Sequence, residues 1–342
     1  MTLSIRASAA WLGPGRYLTD VRVVCDGGEI RSVGPAAEVT PADEELVVDG
    51  FLMPAVADRH VHIELSDPKT VLSRGVTAVR DLGWPPERIF ALADASEMPS
   101  YSGPLIRAVG PMLTAPGGYP TADRWAPPGT GRVLSGPDDA AAAVGELAEL
   151  GAVAIKISLN AESGPTPSDP ELMAICDAAH RADLPVTAHT QGEGQVERAL
   201  GAGVDELAHT PWTRLSAELI DAVAQRMRIV STLDILSYGR DTPQIRTALD
   251  NLRRFHDAGG TVIYGTDLGN GGIPPGIHVR EAQLLAEAGL EFEEVLEAMV
   301  RAPLEPGAPA DLIVTSSSPL DDLHAFDDIL LVVRAGVVAL EP

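Results

Sequence analysis

Eight short runs of β-forming residues, most of them separated by helical patterns, limit what this chain can fold into. They are Ala55 to His62, Thr77 to Arg80, Leu105 to Val109, Val153 to Ile157, Pro185 to Ala188, Glu206 to Ala208, Arg228 to Thr232 and Thr261 to Tyr264. Helical patterns lie between most of them, as at Asp138 to Leu150, Pro170 to Ala182 and Thr242 to Ala258, and several end in Gly as C-caps do. Strands alternating with helices over about 250 residues predict an α/β fold, a (β/α)8 TIM barrel.

The two ends have a different texture. Met1 to Arg6 alternates, Val21 to Val24 is β-branched, and Asp26-Gly27-Gly28 turns into Glu29 to Val33. Near the other end, Asp311 to Thr315 and Ile329 to Val333 read as strands, and Arg334-Ala335-Gly336 turns into Val337 to Leu340. Neither end can bury an apolar face alone. Residues 1–53 and 304–342 are therefore expected to pair into a small β-sandwich domain, leaving 54–303 as the barrel. The 45% hydrophobic content suffices for both cores.

The charge balance, 49 acidic against 25 basic residues for a net of −24, argues against nucleic acid or an anionic membrane as partner. No apolar run is long enough to span a bilayer, and Trp11-Leu12-Gly13-Pro14-Gly15 interrupts any signal-peptide layout. Cys25 and Cys176 stand far apart and make neither a disulfide framework nor a zinc knuckle, so a cytoplasmic location is expected. A small-molecule substrate and a homo-oligomer are expected as partners.

Polar residues of a metal-binding kind close several of the strands. In Asp58-Arg59-His60-Val61-His62 the two histidines are two apart, so on a strand they leave the same face. Lys156 lies between two isoleucines, His189 and His209 follow the fifth and sixth runs, and Asp267 follows the eighth in Gly265-Thr266-Asp267. In a barrel these ends meet at one mouth, walled by the long Gly- and Pro-rich loops Leu113 to Arg132 and Leu268 to Gly276. An ammonium in the apolar setting of Lys156 is costly, and the depressed pKa of a buried lysine frees the amine to react with carbon dioxide. The carbamate formed is a bidentate anion able to bridge two cations.

The pattern Pro54-x-x-x-Asp58-x-His60-x-His62, with the later lysine, histidines and aspartate, resembles the amidohydrolase superfamily, and most closely its imidazolonepropionase and prolidase-like group. The likeness extends through Gly75 to Gly83, Ala179 to Val186 and Glu305 to Leu312, so it spans essentially the whole chain. The resemblance implies two divalent metals, most commonly zinc, with His60, His62 and Asp267 on one, His189 and His209 on the other, and carboxylated Lys156 between them. It also implies hydrolysis of an amide, cyclic amide or related C–N bond by a metal-bridging hydroxide, with Asp267 relaying the proton. The same Lewis acid could instead drive cyclisation of a small metabolite by loss of water, and the ligands alone do not separate the two.

One departure concerns specificity. Relatives often carry a carbonyl-polarising histidine in a Gly-Gly-His turn after the third strand; this chain has Ala115-Pro116-Gly117-Gly118-Tyr119. Tyr119, on a loop from Thr114 to Asp123 expected to wall the pocket, and Tyr238 are the candidate donors to an oxyanion. His180 and His256 read as structural, His278 as a helix-surface residue or, coming after the Gly-rich loop, a substrate contact, and His324 as part of the C-terminal β-region.

Overall fold

A computed structural model describes residues 2–98 and 100–341. The chain opens with strands β1 (Thr2–Gly13), β2 (Arg16–Asp26), β3 (Glu29–Pro35) and β4 (Glu44–Pro54). The barrel region follows with β5 (Val56–Val61), α1 (Pro68–Ser73), β6 (Val76–Asp81), α2 (Pro86–Ser96), β7 (Leu105–Ala108), and short β8 (Met112–Thr114) and β9 (Gly131–Val133). It continues through α3 (Pro137–Glu149), β10 (Ile155–Asn160), α4 (Asp169–Arg181), β11 (Val186–Gln191), α5 (Gln195–Ala202), β12 (Glu206–Leu207), α6 (Ala217–Arg226) and β13 (Arg228–Val230). The remaining elements are α7 (Pro243–Asp257), β14 (Thr261–Ile263), α8 (Val279–Glu287), α9 (Phe292–Met299), β15 (Leu312–Thr315), β16 (Ile329–Arg334) and β17 (Val337–Leu340).

All eight expected barrel runs form strands that pair in parallel, β5-β6-β7 in one set and β8 with β10 to β14 in the other. Backbone bonds join the sets. Val153 N–H donates to Ala108 O (3.0 Å), and on the far side Arg59 N–H donates to Tyr264 O (3.1 Å) and His62 N–H to Leu268 O (2.7 Å). The strands thus follow one another round a ring, the arrangement of a (β/α)8 barrel. Helix α7 illustrates how the outer layer is specified. Thr242 caps its first turn by accepting from Ile245 N–H, Pro243 opens it, and Ile245, Ala248, Leu252 and Phe255 form its buried stripe. Strand β10 is buried along its whole length; its alternation sends Ile155, Ile157 and Leu159 toward the helices and Lys156, Ser158 and Asn160 to the interior.

The two ends do combine, but not into a sandwich of two sheets. Strand order β17-β16-β15-β4-β1-β2-β3 makes one continuous seven-stranded sheet. The reason lies in β4, whose eleven residues pair with β1 in parallel and with β15 antiparallel, so hydrogen bonding runs unbroken from edge to edge. The sheet has an apolar core of its own, built on Ile5, Val23, Leu52, Leu312 and Leu331, and the β2–β3 turn meets the returning chain through Ile30 N–H to Ala308 O (2.8 Å). Among the described residues no helix is long and apolar enough to cross a membrane.

Candidate metal and substrate site

The site is built from β5 outward. Asp58, fully buried, accepts from His60 N–H and Thr266 N–H (3.0 Å each) and from the Thr266 hydroxyl, so one carboxylate ties the end of β5 to the segment after β14. Burial pushes the Asp58 pKa up to about 6 against these donors. The two segments lie close: a Cβ on Gly265 would stand 2.4 Å from the Val230 side chain and 3.0 Å from His60 Cβ, so only glycine fits there. The approach also lets Asp267 N–H donate to His60 O (2.8 Å), which sets Asp267, at a left-handed φ of 58°, beside the β5 histidines.

The imidazoles are held from behind. His60 Nδ1 meets Ala208 O at 2.8 Å and His62 Nδ1 meets Gly83 O at 3.0 Å; a carbonyl only accepts, so in both rings Nδ1 carries the proton and Nε2 presents its lone pair. Both Nε2 atoms approach Asp267 Oδ1, at 3.3 and 3.4 Å. His209 Nδ1 bonds the Thr232 hydroxyl (2.8 Å), and His189 Nε2 bonds Gln191 Oε1 (2.8 Å). Ring centroids lie 4.6 Å apart for His60 and His209, and 4.5 Å for His189 and His209. Donor atoms of His60, His209 and Asp267 all fall within 4.8 Å of one another.

Every one of these groups is buried, and the electrostatics follow. Burial lowers the pKa of His60 and His209 well below the usual imidazole value and takes His189 to about 4, so these rings are neutral, the form that ligates metals. For His62 burial acts in the same direction, but the Asp267 carboxylate outweighs it and raises the pKa. Burial would raise Asp267, yet the surrounding imidazoles, His60 foremost, hold it well below the carboxylate range. Burial brings Lys156 down to about 7, and its Nζ has no hydrogen-bond partner. Asp267 Oδ1 likewise has no well-aligned donor despite the two nearby imidazoles.

Two buried polar atoms without partners, set among imidazoles with free lone pairs, are the donor set a cation site requires. The donor set of nitrogen and carboxylate oxygen suits zinc or a similar divalent ion, so the residues fit the implied metals.

Above this cluster opens a cavity of about 460 Å³ whose wall includes Tyr119, Asn160, His189, Trp212, Tyr238 and Asp267. The structure therefore brings all eight candidate residues to one end of the barrel: six in the buried cluster and the two tyrosines on the cavity wall. Tyr119 packs 5.1 Å from the His189 ring, while Tyr238 is the more exposed of the two. His180 lies on α4, exposed and paired with Asp205 (3.0 Å); His256 lies on α7 near Glu294 (3.4 Å). His324 falls in a short 3₁₀ turn, paired with Asp327 at 2.8 Å.

His278 departs from the expectation. It is buried at the start of α8, where its Nε2 bonds Asp234 Oδ2 (2.8 Å), because the loop after β14 folds inward before the helix begins. Trp125, whose ring lies 4.7 Å from that of His62, carries no signal in the sequence beyond its place in a loop already marked as pocket wall. Thr232, which orients His209, closes the seventh strand run and carried a positional signal of that kind; Gln191, which orients His189, lies three residues beyond its run and carried none.

The amidohydrolase family model matches residues 51–300. A search of curated protein sequences returned no match. Among solved structures, a Xaa-Pro dipeptidase with bound methionine superposes with a TM-score of 0.84 at 21% identity, covering 99% of each chain. A Bifidobacterium longum protein provisionally assigned as a prolidase gives 0.84 at 27%, covering 98% of this chain and 94% of that one. The A. niger ochratoxinase gives 0.83 at 20%, covering 100% and 96%. With a match that takes in the whole barrel and every residue of the buried cluster, the chain belongs to the amidohydrolase family.

Proposed function

We propose that this chain is a binuclear metal-dependent hydrolase of an amide or related C–N bond in a small molecule. The observation that carries the proposal is the meeting of neutral imidazoles, Asp267 and the unpartnered Lys156 amine beneath an open cavity. In this reading His60, His62 and Asp267 would hold one cation and His189 and His209 a second, and carboxylated Lys156 would supply ligand oxygens to both. When bound, the cations would supply Lewis acidity and lower the pKa of a water toward neutrality.

The chain's own residues do the rest. Gly83 O and Ala208 O fix the tautomers of His62 and His60, which keeps both Nε2 lone pairs available. Asp267, ionised well below neutral pH, can take a proton from water and pass it to the leaving nitrogen. Tyr119, the nearer phenol to the imidazoles, has its pKa raised by burial, so it stays protonated as a donor to the substrate carbonyl oxygen, with Tyr238 as a second donor. Trp125 covers His62 on the loop side and limits water there. Relatives described as dipeptidase, prolidase, ochratoxinase and molinate hydrolase support hydrolysis but differ in what their names say they act on, so the substrate class proposed is no narrower than a small amide-like molecule. The free cysteines, both buried, suit a reducing cytoplasm, which we propose as its location.

The test is to incubate zinc-loaded protein with lactams, N-acyl amino acids and dipeptides and to follow mass. Gain of one water, lost in His60→Ala, supports the proposal. Loss of one water would establish cyclisation instead, and conversion equal in His60→Ala would overturn a role for the cluster.

A further inference from the structure

Outside the metal cluster, one set of buried charged groups has no part in the chemistry above. Glu281, in the first turn of α8, is fully buried, and its carboxylate accepts from two consecutive backbone amides, Leu233 N–H and Asp234 N–H, at 2.8 Å each. These amides open a 3₁₀ turn, Asp234–Leu236, whose first N–H groups have no partner within the turn. Asp234 in turn accepts from the Ser237 hydroxyl (2.5 Å), Gly239 N–H (3.0 Å) and the His278 ring (2.8 Å), with Arg280 Nε at 3.5 Å. His278 N–H is itself held by the Tyr264 hydroxyl oxygen (2.9 Å). Two carboxylates and an imidazole thus join the loop after β13 to the start of α8, from opposite sides.

What that loop carries makes the arrangement matter. Ile235, Leu236 and Tyr238 line the cavity, and Thr232, just ahead of the turn, bonds His209 Nδ1. Thr232 and Tyr238 have φ values of 43° and 46°, a region that side-chain-bearing residues enter only where the surroundings hold them. A Cβ on Gly271, from the loop after β14, would meet the Tyr238 ring at 2.5 Å, so the ring is seated against that backbone.

We propose that Glu281, Asp234 and His278 form a positioning unit that fixes the β13–α7 loop, and through it sets Tyr238 and the Ile235–Leu236 face for substrate. The link to substrate rests on the hydrolase proposal; the positioning itself does not.

The test uses the full-length protein and hydrogen exchange at a pH above 7, where the Glu281 carboxylate, pushed up to about 7 by burial, is mostly charged. Glu281→Gln keeps size but offers one acceptor oxygen to two amides and turns an NH₂ group on the other. Exchange at Leu233 to Gly239 should speed by about 10-fold or more, as for a lost hydrogen bond to a charged group, while β11 residues Val186 to Gln191 keep their protection. Glu281→Asp, which keeps the charge, should recover part of it. With any substrate that is turned over, KM should rise about 5- to 20-fold and kcat should fall as well, since the loosened loop carries both the Ile235–Leu236 face and the Tyr238 donor. Unchanged exchange in the loop, or an equal rise in β11, would overturn the positioning role whether or not a substrate has been found. A fall in kcat with constant KM would overturn its link to the substrate face.

Discussion

Replacing Lys156 with methionine should make the metal-free protein more stable and the metal-loaded protein inactive. Lys156 is fully buried in β10 between Ile155 and Ile157, and its Nζ has no partner. Taking the amine from a pKa of 10.5 to about 7 corresponds to roughly 4–5 kcal/mol at neutral pH, at about 1.4 kcal/mol per tenfold change in proton affinity. Methionine has a similar length and no polar atom to desolvate. Allowing for imperfect repacking, the chelated variant should gain ~2–4 kcal/mol over the chelated parent. In a chain of this size that is a melting temperature higher by about 3–6 °C. Adding zinc should invert the order, because the parent gains stability from a ligand that binds only the folded state, and the variant lacks the bridging group. Thermal unfolding with and without zinc, followed by turnover, measures both halves. A variant that is less stable when chelated and still stabilised by zinc like the parent would refute the assignment of Lys156 as a bridge.

Other outcomes follow from the same geometry. Asp267→Asn should keep a folded protein with at least one metal but lower turnover by about 10²-fold or more, as for a lost general base; near-normal turnover would remove Asp267 from proton transfer. Tyr119→Phe keeps the ring packed on His189 and removes only the hydroxyl, so a loss of about 10- to 10³-fold with unchanged metal content would mark it as a donor, and a silent Phe with an impaired Ala would mark it as packing. Glu281 supplies a pH dependence. Burial raises its pKa from 4.5 to about 7, with the Leu233, Ser231 and Asp234 donors and nearby His278 opposing, so the folded chain holds that proton more tightly than the unfolded one. Its contribution is fully present below pH 4.5 and is lost as pH rises through about 7, by up to ~3 kcal/mol. Unfolding across that range at equal metal loading should show this decline in the parent and not in Glu281→Gln; parallel curves would contradict it.

The barrel and the buried polar cluster at its mouth were legible because both follow from local pattern. Runs such as Val153 to Ile157 carry their own β-signal, and a period of two puts His60 and His62 on one side without knowledge of the rest. Lys156 stood out as a charge in an apolar strand. What pattern could not supply was where long-range partners meet. Glu281 and Leu233 are 48 positions apart, and Glu281 in a helical stretch looks like any solvated glutamate until the turn it caps is in place. His278 was placed on a surface because its burial depends on the path of the Leu268 to Gly276 loop, which no periodicity encodes. The terminal domain shows the same limit: strands were evident at both ends, but whether β4 bridges them into one sheet or two depends on pairings between Phe51 and Thr315, far apart in the chain.

The proposed centre has two metals, held by His60, His62, Lys156, His189, His209 and Asp267. Elemental analysis of the purified protein, saturated with zinc and bicarbonate and then freed of excess metal, tests it most directly. Close to two divalent ions per chain, falling to one or fewer in Lys156→Met, is the predicted result. A single ion per chain at saturation, or two that persist in Lys156→Met, would contradict it.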